Sequence, residues 1–235
     1  KDVFGCESEP VEITITEPDP VEIADDNNDG IGGTITTSNY NGWELTCLEA
    51  ENGWISASAI GGSGNYTYTL FTANGQLIED SEQESTGTFI NLAEGTYIIQ
   101  VDDQINGNNS GELSNGNDEC TATTEITLNA PPELVIDSLV IQSKNCEYDI
   151  SCDDGDDGVV IAYISGGASP YLYQWSDMTG SVISEGTNNT ITGLDAGIYQ
   201  LTVNDNNGCE AIVGGTIQLF NPPPLTYMVT AENYN

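Results

Sequence analysis

The residues with the clearest capacity for chemistry are oxygen-bearing side chains in short runs that contain glycine. Asp25, Asn27 and Asp29 alternate before Gly30, which matches the first half of a calcium-binding loop. The glutamate that closes such a loop is absent, because Thr36 stands in its place. Calcium is the cofactor that this run would favour, and solvated acidic turns without an ion are the alternative interpretation.

The residue types give little support for an enzymatic active site. The chain contains no His, which excludes Ser–His–Asp and Cys–His nucleophile systems. Carboxylate pairs of the glycosidase kind carry almost no information, because 38 acidic residues must produce such pairs by chance. The run 61–64, Gly-Gly-Ser-Gly, lacks the Lys and the helix of a phosphate-binding loop. We expect no enzymatic activity.

The elements that must position these residues are β-strands. Tyr171, Tyr173 and Trp175 alternate with other residues, as do Tyr199, Leu201 and Val203, and this period of two indicates strands with one buried face. Trp175 continues the tyrosine face and is therefore predicted in the core. The spacing Leu-x-x-Gly-x-Tyr at 194–199 is typical of a tyrosine corner. No stretch has helical periodicity, so the fold class is predicted as all-β.

The same pattern occurs twice. The Cys-x5-Gly spacing at 47–53 matches 152–158, the Gly-Gly-x3-Tyr-x-Tyr spacing at 61–68 matches 166–173, and the corner at 92–97 matches 194–199. The differences in length fall between the motifs, where loops absorb insertions. We predict tandem immunoglobulin-like β-sandwich modules. Residues 1–19 end a truncated upstream repeat, 20–132 form a repeat with insertions, 133–223 form a second repeat, and 224–235 begin the next.

The six cysteines are predicted to form disulfides according to this register. Cys47 and Cys120 occupy the same places in the first copy as Cys152 and Cys209 in the second, so we pair Cys47 with Cys120 and Cys152 with Cys209. Each bond would contribute about 2–4 kcal/mol. Cys6 corresponds to the last cysteine of each copy, so its partner is expected upstream. Repeated placement favours an oxidising, extracellular setting.

One cysteine has no counterpart, and two acidic runs depend on the pairing. Cys146 is free, bonded to Cys152, or the true partner of Cys209. If Cys152 bonds Cys209, the run with Asp153 and Asp157 and the turn with Asp205 flank one disulfide and could share a calcium ion. The first and last turns of a standard sandwich, however, lie at opposite ends. Either the acidic run is then no simple turn, or Cys146 is the bonded residue.

Charge excludes several classes of partner. The net charge is −36, with 38 acidic and only 2 basic residues. Such a chain repels phosphate backbones and anionic lipid, so we expect no nucleic-acid binding. No apolar run reaches the length of a membrane span, so no membrane insertion is expected. The self-repulsion should be offset, and disulfides or divalent cations are the candidates.

These motifs also carry a family resemblance. The succession Gly-Gly-x3-Tyr-x-Tyr-x-Trp, Leu-x-Ala-Gly-x-Tyr and Val-x-Asp-x-x-Gly-Cys in residues 133–224 resembles the SprB-type repeat. Residues 20–132 match more loosely, since Leu70 replaces the Trp. The resemblance implies immunoglobulin-like, non-enzymatic modules at the cell surface, in large adhesins of gliding Bacteroidota exported by type 9 secretion. The expected function is therefore an extracellular stalk or fibre segment, with neighbouring copies of the repeat as partners.

A second function remains open at this point, an accessory carbohydrate-binding module of a secreted glycan-degrading enzyme. Trp43 lies in an insertion of the first copy and is the best candidate for stacking on surface glycans. A further site follows from a short motif: the segment 137–139, Asp-Ser-Leu, resembles the acceptor for O-glycosylation in Bacteroidota. Ser138 is therefore a candidate glycosylation site.

Overall fold

The fold consists of short antiparallel strands. A computed structural model describes residues 13–14, 19–23, 33–78, 83–84, 86–103, 120–142, 148–211 and 214–227. Within these ranges the regular elements are all strands: β1 (Ile35–Thr37), β2 (Gly53–Ala57), β3 (Tyr66–Thr72), β4 (Gln83–Glu84), β5 (Thr88–Leu92), β6 (Gly95–Asp103), β7 (Thr121–Leu128), β8 (Val135–Ile141), β9 (Gly158–Ser165), β10 (Leu172–Asp177), β11 (Val182–Gly186), β12 (Thr190–Leu194), β13 (Gly197–Asn204) and β14 (Gly215–Leu219). The prediction of an all-β chain is confirmed.

The strands form the same pair of sheets twice. Strands β1–β7 make a three-stranded sheet, in the order β1-β2-β5, and a four-stranded sheet, in the order β4-β3-β6-β7. Strands β8–β14 repeat the arrangement as β12-β9-β8 and β11-β10-β13-β14. Seven strands in two antiparallel sheets are the architecture of an immunoglobulin-like sandwich. The predicted fold class, tandem immunoglobulin-like modules, is confirmed.

The core of the second copy comes from the inward-facing positions of both sheets. In β10, Tyr173 and Trp175 are buried between exposed or half-buried neighbours, and they pair in register with Val203 and Leu201 of β13. Val160 of β9 packs in the same cluster from the opposite sheet. Trp175 is only 1 % exposed, so the prediction that it belongs to the core is confirmed. The alternation in the sequence is thus the pleat of a half-buried strand.

Tyrosine hydroxyls fix the turns at both ends of these strands. Tyr199 donates a hydrogen bond of 3.0 Å to the carbonyl of Asp195, so the predicted tyrosine corner is confirmed in the second copy. Tyr171 donates to the carbonyl of Gly166 at 2.6 Å. In the first copy Tyr66 makes the equivalent bond to Gly61, also at 2.6 Å. The two copies therefore share side-chain contacts as well as strand order.

The close approach of backbone explains the glycine pairs before β3 and β10. Gly166 has a φ of +73°, and a Cβ at this position would lie 1.7 Å from the carbonyl oxygen of Glu133. Gly61 has a φ of +83°, and its Cβ would lie 1.9 Å from the oxygen of Pro20. Only glycine combines this left-handed conformation with such a contact. The glycines thus bring the start of each copy against the end of its second strand.

The chain divides into two compact units that do not coincide with the two copies of the motif. The first unit contains Lys1–Thr36, Ile55–Phe89 and Thr96–Thr127. The second unit contains Thr37–Trp54, Ile90–Gly95 and Leu128–Asn235. The segment that carries Trp43 and Cys47 therefore belongs to the same unit as strands β8–β14. In the part of the chain that the structure describes, no helix is long and apolar enough to cross a membrane.

Candidate functional site

The most distinctive site is a disulfide inside the second unit. Cys47 is bonded to Cys209, with the two Cα atoms 5.8 Å apart and 162 positions between them in sequence. Both predicted pairs, Cys47 with Cys120 and Cys152 with Cys209, are therefore wrong. Cys152 is an exposed thiol without a disulfide in the described part of the chain, and Cys120 is half-buried. Cys6 and Cys146 lie outside the described residues.

The predicted pairing fails because the two cysteines of one copy lie at opposite ends of its sandwich. Cys152 precedes β9, whereas the turn with Cys209 is hydrogen-bonded to Ala168, which follows β9. Strand β9 has 8 residues, which span roughly 25 Å at the rise of a β-strand. A disulfide needs Cα atoms within about 7 Å. The register correctly identifies which cysteines are equivalent in the two copies. The two cysteines of one copy, however, are not neighbours in space.

The turn that carries Cys209 is organised by one buried carboxylate. Asp205 is only 6 % exposed. Its Oδ1 accepts hydrogen bonds of 2.9 Å from the backbone N–H groups of Asn207 and Cys209, and its Oδ2 accepts one of 2.8 Å from Ala168. The backbone N–H of Asp205 also donates to the carbonyl of Cys209. A carboxylate with three such donors is stabilised by charge-assisted bonds, which hold the turn and its cysteine in place.

The first copy contains an equivalent buried carboxylate, Asp103. Asp103 takes the place of Asp205, and its Oδ2 accepts a hydrogen bond of 2.6 Å from the backbone N–H of Ser63. The hydroxyl of Ser63 donates to Oδ1 of the same carboxylate. The N–H of Asp103 donates to the carbonyl of Cys120 at 2.9 Å. Cys120 is thus the structural equivalent of Cys209, as the register predicted.

The amide of Asn207 adds a second link between the turn and the segment Thr37–Trp54. Its Nδ2 donates to the carbonyl oxygens of Thr46, at 3.0 Å, and Tyr40, at 3.4 Å. Its Oδ1 accepts a hydrogen bond from the side-chain amide of Asn41. The Sγ of Cys209 lies 3.1 Å from the carbonyl oxygen of Thr46. The sequence analysis missed this role of Asn207, and an Asn in an Asn-Gly turn carries no signal that would have revealed it.

Backbone hydrogen bonds hold the loop that presents Cys47. The N–H groups of Glu44 and Leu45 donate to the carbonyl of Asn129 at 3.1 and 3.3 Å, and the N–H of Asn129 donates to Oε2 of Glu44 at 2.9 Å. The N–H of Thr46 donates to Oδ1 of Asn52. Leu45 itself is fully buried. The loop is thus anchored to the strand end at Asn129, and its cysteine faces the turn. We call the loop 44–53, the turn 205–209 and their disulfide the latch.

The predicted shared calcium site does not form. Asp157 lies before β9 and accepts a hydrogen bond from the N–H of Ser151, whereas Asp205 lies in the turn beyond the other end of that strand. Asp153 accepts from the side-chain amide of Asn221. Among the described residues, no group of three or more acidic or Cys side chains could hold a metal ion. The best calcium candidates, Asp25, Asn27 and Asp29, lie outside the described residues and stay a prediction.

The two remaining candidate residues lie in exposed or partly exposed positions. Trp43 closes a tight turn with Tyr40, through backbone hydrogen bonds in both directions, and its side chain is half-buried. This leaves less of the indole free for stacking than the prediction of an exposed Trp43 assumed. Ser138 is exposed on β8, beside an irregularity in the pairing with β9. Glycosylation of Ser138 and ligand binding by Trp43 remain predictions.

Cavities at these sites are small or polar. One of about 80 Å³ lies beside the latch and is lined by residues that include Leu48, Pro131, Leu134 and Asp205. This is well below the 300–1,000 Å³ of small-molecule sites. Another, of about 390 Å³, is lined by residues of β11 and β12 together with Asp195 and Tyr199. The hydroxyl of Tyr199 in this lining is already bonded to the carbonyl of Asp195.

Comparison with known proteins agrees with this architecture. The family model of the SprB repeat matches residues 44–75 and 148–180. Both matches begin in the loop before β2 or β9 and extend beyond β3 or β10. The two matches support a SprB-type repeat protein. No curated protein sequence matches the chain.

The chain is similar, at low sequence identity, to several solved structures with more than one domain or module. Three N-terminal domains of the outer capsid protein Hoc of bacteriophage RB49 are 18 % identical at a TM-score of 0.45, and the match covers 80 % of this chain and 58 % of that one. The ectodomain of mouse nectin-like molecule 4 is 13 % identical at 0.34, covering 83 % and 66 %. Fibronectin(III)-like modules of Clostridium thermocellum CbhA are 12 % identical at 0.31, covering 85 % and 100 %. The chain thus spans less than two thirds of the first of these proteins.

Proposed function

We propose that this chain, with its two SprB-repeat matches, is a non-enzymatic segment of a stalk or fibre in a large cell-surface adhesin, used in surface attachment or gliding. The observation that carries the proposal is the repetition of one sandwich with the same buried aspartate, the same anchored loop and cysteines at equivalent places. Such repetition builds length from identical parts. It does not assemble a reaction centre.

Physical features of the described residues favour a load-bearing role. The latch covalently connects the segment Thr37–Trp54 of the first copy to the last turn of the second copy. Disulfides persist in oxidising compartments, which fits an extracellular location. The charge of −36 keeps such a chain soluble and resists its non-specific association with other acidic surfaces. Neighbouring copies of the repeat are the partners that we propose, and export by type 9 secretion belongs to the same proposal.

The proposal is tested on cells that carry the protein. Antibodies against the chain should label intact cells, and deletion of residues 133–223 from the gene in frame should weaken attachment or gliding while the protein still reaches the surface. Detection of the chain only after lysis would contradict the proposed location. Normal attachment and gliding by cells with the shortened protein would contradict the proposed role.

A glycan array separates the stalk from the accessory carbohydrate-binding module. The stalk function predicts no binding that depends on Trp43, so the wild-type chain and the Trp43→Ala variant should give the same signal. Trp54, which is also half-buried, provides a matched control as Trp54→Ala. Strong binding that only Trp43→Ala abolishes would favour the carbohydrate-binding function instead.

A further inference from the structure

The loop before β9 makes the same hydrogen bonds as the loop that forms the latch. The N–H groups of Asp149 and Ile150 donate to the carbonyl of Phe220 at 3.0 and 3.3 Å, as those of Glu44 and Leu45 donate to Asn129. The N–H of Phe220 donates back to Oδ2 of Asp149 at 2.9 Å. This repeats the bond from Asn129 to Glu44. Both loops are therefore anchored to the last strand of their own copy by the same three hydrogen bonds.

The correspondence extends to the cysteine itself. The N–H of Ser151 donates to Oδ1 of Asp157 at 3.0 Å, as that of Thr46 donates to Oδ1 of Asn52 at 3.3 Å. One turn further, the N–H of Gly155 donates to the carbonyl of Cys152 at 3.1 Å, as that of Ala50 donates to Cys47 at 3.2 Å. Cys152 is consequently held by the same pattern of backbone hydrogen bonds as Cys47, although Glu49 of the first loop has a φ of +61° and its counterpart Asp154 is outside the left-handed region.

The two cysteines differ in what covers them. Cys47 is half-buried and bonded to Cys209, whereas Cys152 is exposed and carries a thiol. The loop 44–53 thus shows what a cysteine in a loop with these hydrogen bonds binds, namely the cysteine of an Asp-x-x-Gly-Cys turn. In both copies the backbone N–H of the aspartate donates to the carbonyl of this cysteine, from Asp103 to Cys120 and from Asp205 to Cys209, so the pairing of these two residues is a general part of the repeat.

We infer that the loop 149–158 is a docking site for the Asp-x-x-Gly-Cys turn of a following copy of the repeat, which it binds through a disulfide from Cys152. Repeats of this kind are then connected in series, each one bonded by its loop cysteine to the turn cysteine of the next. The inference deepens the proposed function, because a fibre linked in this way resists unfolding of its junctions under tension.

The chemistry of the bond is an ordinary thiol oxidation. Cys152 and the incoming turn cysteine each lose a proton and an electron as their sulfurs join, and a small-molecule disulfide accepts both electrons and both protons to become two thiols. The tether between successive copies raises the effective concentration of the incoming thiol. The bond also offsets repulsion, because the loop carries Asp153, Asp154 and Asp156 and the turn carries the carboxylate at the position of Asp205.

A chain with one additional repeat tests the inference. Residues 133–223 are duplicated in frame within the full chain, so that Pro222 and Pro223 precede the added copy as Pro131 and Pro132 precede the original. The protein is refolded with a glutathione redox couple, denatured without reductant and alkylated. Its free thiols are then counted by intact mass. In such a count, replacing a bonded cysteine by Ser adds one free thiol, whereas replacing a free cysteine removes one.

We expect Cys152→Ser in the first of the two copies to raise the thiol count by one. Cys209→Ser in the added copy should do the same, and the two substitutions together should restore the count of the extended parent. In the chain without the duplication, Cys152→Ser should lower the count by one, which provides the matched control. A fall of one thiol for Cys152→Ser in the extended chain would overturn the inference. So would a rise that Cys209→Ser in the added copy does not reproduce.

A folding control keeps the result interpretable. The bond Cys47–Cys209 of the original copies reports on correct assembly, because Cys47→Ser should raise the count by one in both chains. The experiment supplies the additional repeat itself and measures only the bond. Its failure would thus refute the serial disulfide and leave the proposed surface function, which is tested on cells, untouched.

Discussion

Removal of the latch disulfide should strongly destabilise the second unit. The bond between Cys47 and Cys209 closes a loop with a sequence separation of 162. For a loop of this length, the chain-entropy relation gives about 17 cal/mol/K, or about 5 kcal/mol at 25 °C, by which the bond restricts the unfolded chain. The double variant Cys47→Ser/Cys209→Ser avoids a leftover thiol that could pair with Cys152.

Urea denaturation followed by tryptophan fluorescence measures the loss. Trp175 is fully buried in the core of the second copy, so its emission reports the unfolding of that core. With a urea m-value of about 2–3 kcal/mol/M, the transition midpoint should fall by about 2 M. Reduction of the wild-type protein should move its midpoint to that of the double variant.

The matched control is Cys152→Ser, which removes an exposed thiol and should leave the midpoint unchanged. If the double variant unfolded within about 0.3 M of this control, a difference below 1 kcal/mol, the reasoning would be refuted. In that case the latch would not restrict the unfolded chain as its position in the sequence requires.

Three further predictions concern the turns and the core. Gly166→Ala should destabilise the protein by more than 3 kcal/mol, since its Cβ would lie 1.7 Å from a carbonyl oxygen. Gly180→Ala, at a φ of +81° with nothing within 4 Å, should cost only about 1 kcal/mol; equal losses in urea denaturation would contradict the contact. Asn207→Ala should cost about 2–3 kcal/mol through three lost hydrogen bonds, whereas Asn206→Ala, whose side chain is exposed, should cost little; the reverse order would refute this. Between pH 8 and about pH 10 the stability should be constant, and above about pH 10 it should fall, because burial raises the pKa of several tyrosines and the unfolded chain therefore loses these protons first. Tyrosinate absorbance and urea midpoints between pH 8 and pH 11, on protein alkylated at Cys152, check this, and a rise would contradict it. The tyrosines concerned are Tyr66, Tyr68, Tyr173 and Tyr199.

The sandwich could be predicted from the sequence because its signals are local. Alternation along β10 and β13 follows from the pleat, and the positive φ of Gly166 follows from the turn. The tyrosine corner at Tyr199 likewise depends on residues a few positions apart. Each of these patterns requires knowledge only of neighbouring residues. The duplication strengthens the prediction, because each pattern occurs twice in the sequence.

The disulfide could not be predicted in the same way, because it depends on which loops and turns meet in three dimensions. Register shows that Cys47 is equivalent to Cys152, and that Cys120 is equivalent to Cys209. It does not show that the two classes of cysteine lie at opposite ends of a sandwich. The rule that the first and last turns of a standard sandwich lie at opposite ends already argued against a bond between Cys152 and Cys209. The partners of Asn207, which are mostly backbone carbonyls, leave no trace in residue types at all.

The most direct test of the account is a disulfide map of the native chain. The protein is alkylated, digested at glutamate residues without reduction and analysed by mass spectrometry. The account predicts one linked pair of peptides that contains Cys47 and Cys209, which separates on reduction, and an alkylated Cys152. Peptides that join Cys47 to Cys120, or Cys152 to Cys209, would contradict it and would show that each repeat closes its own bond.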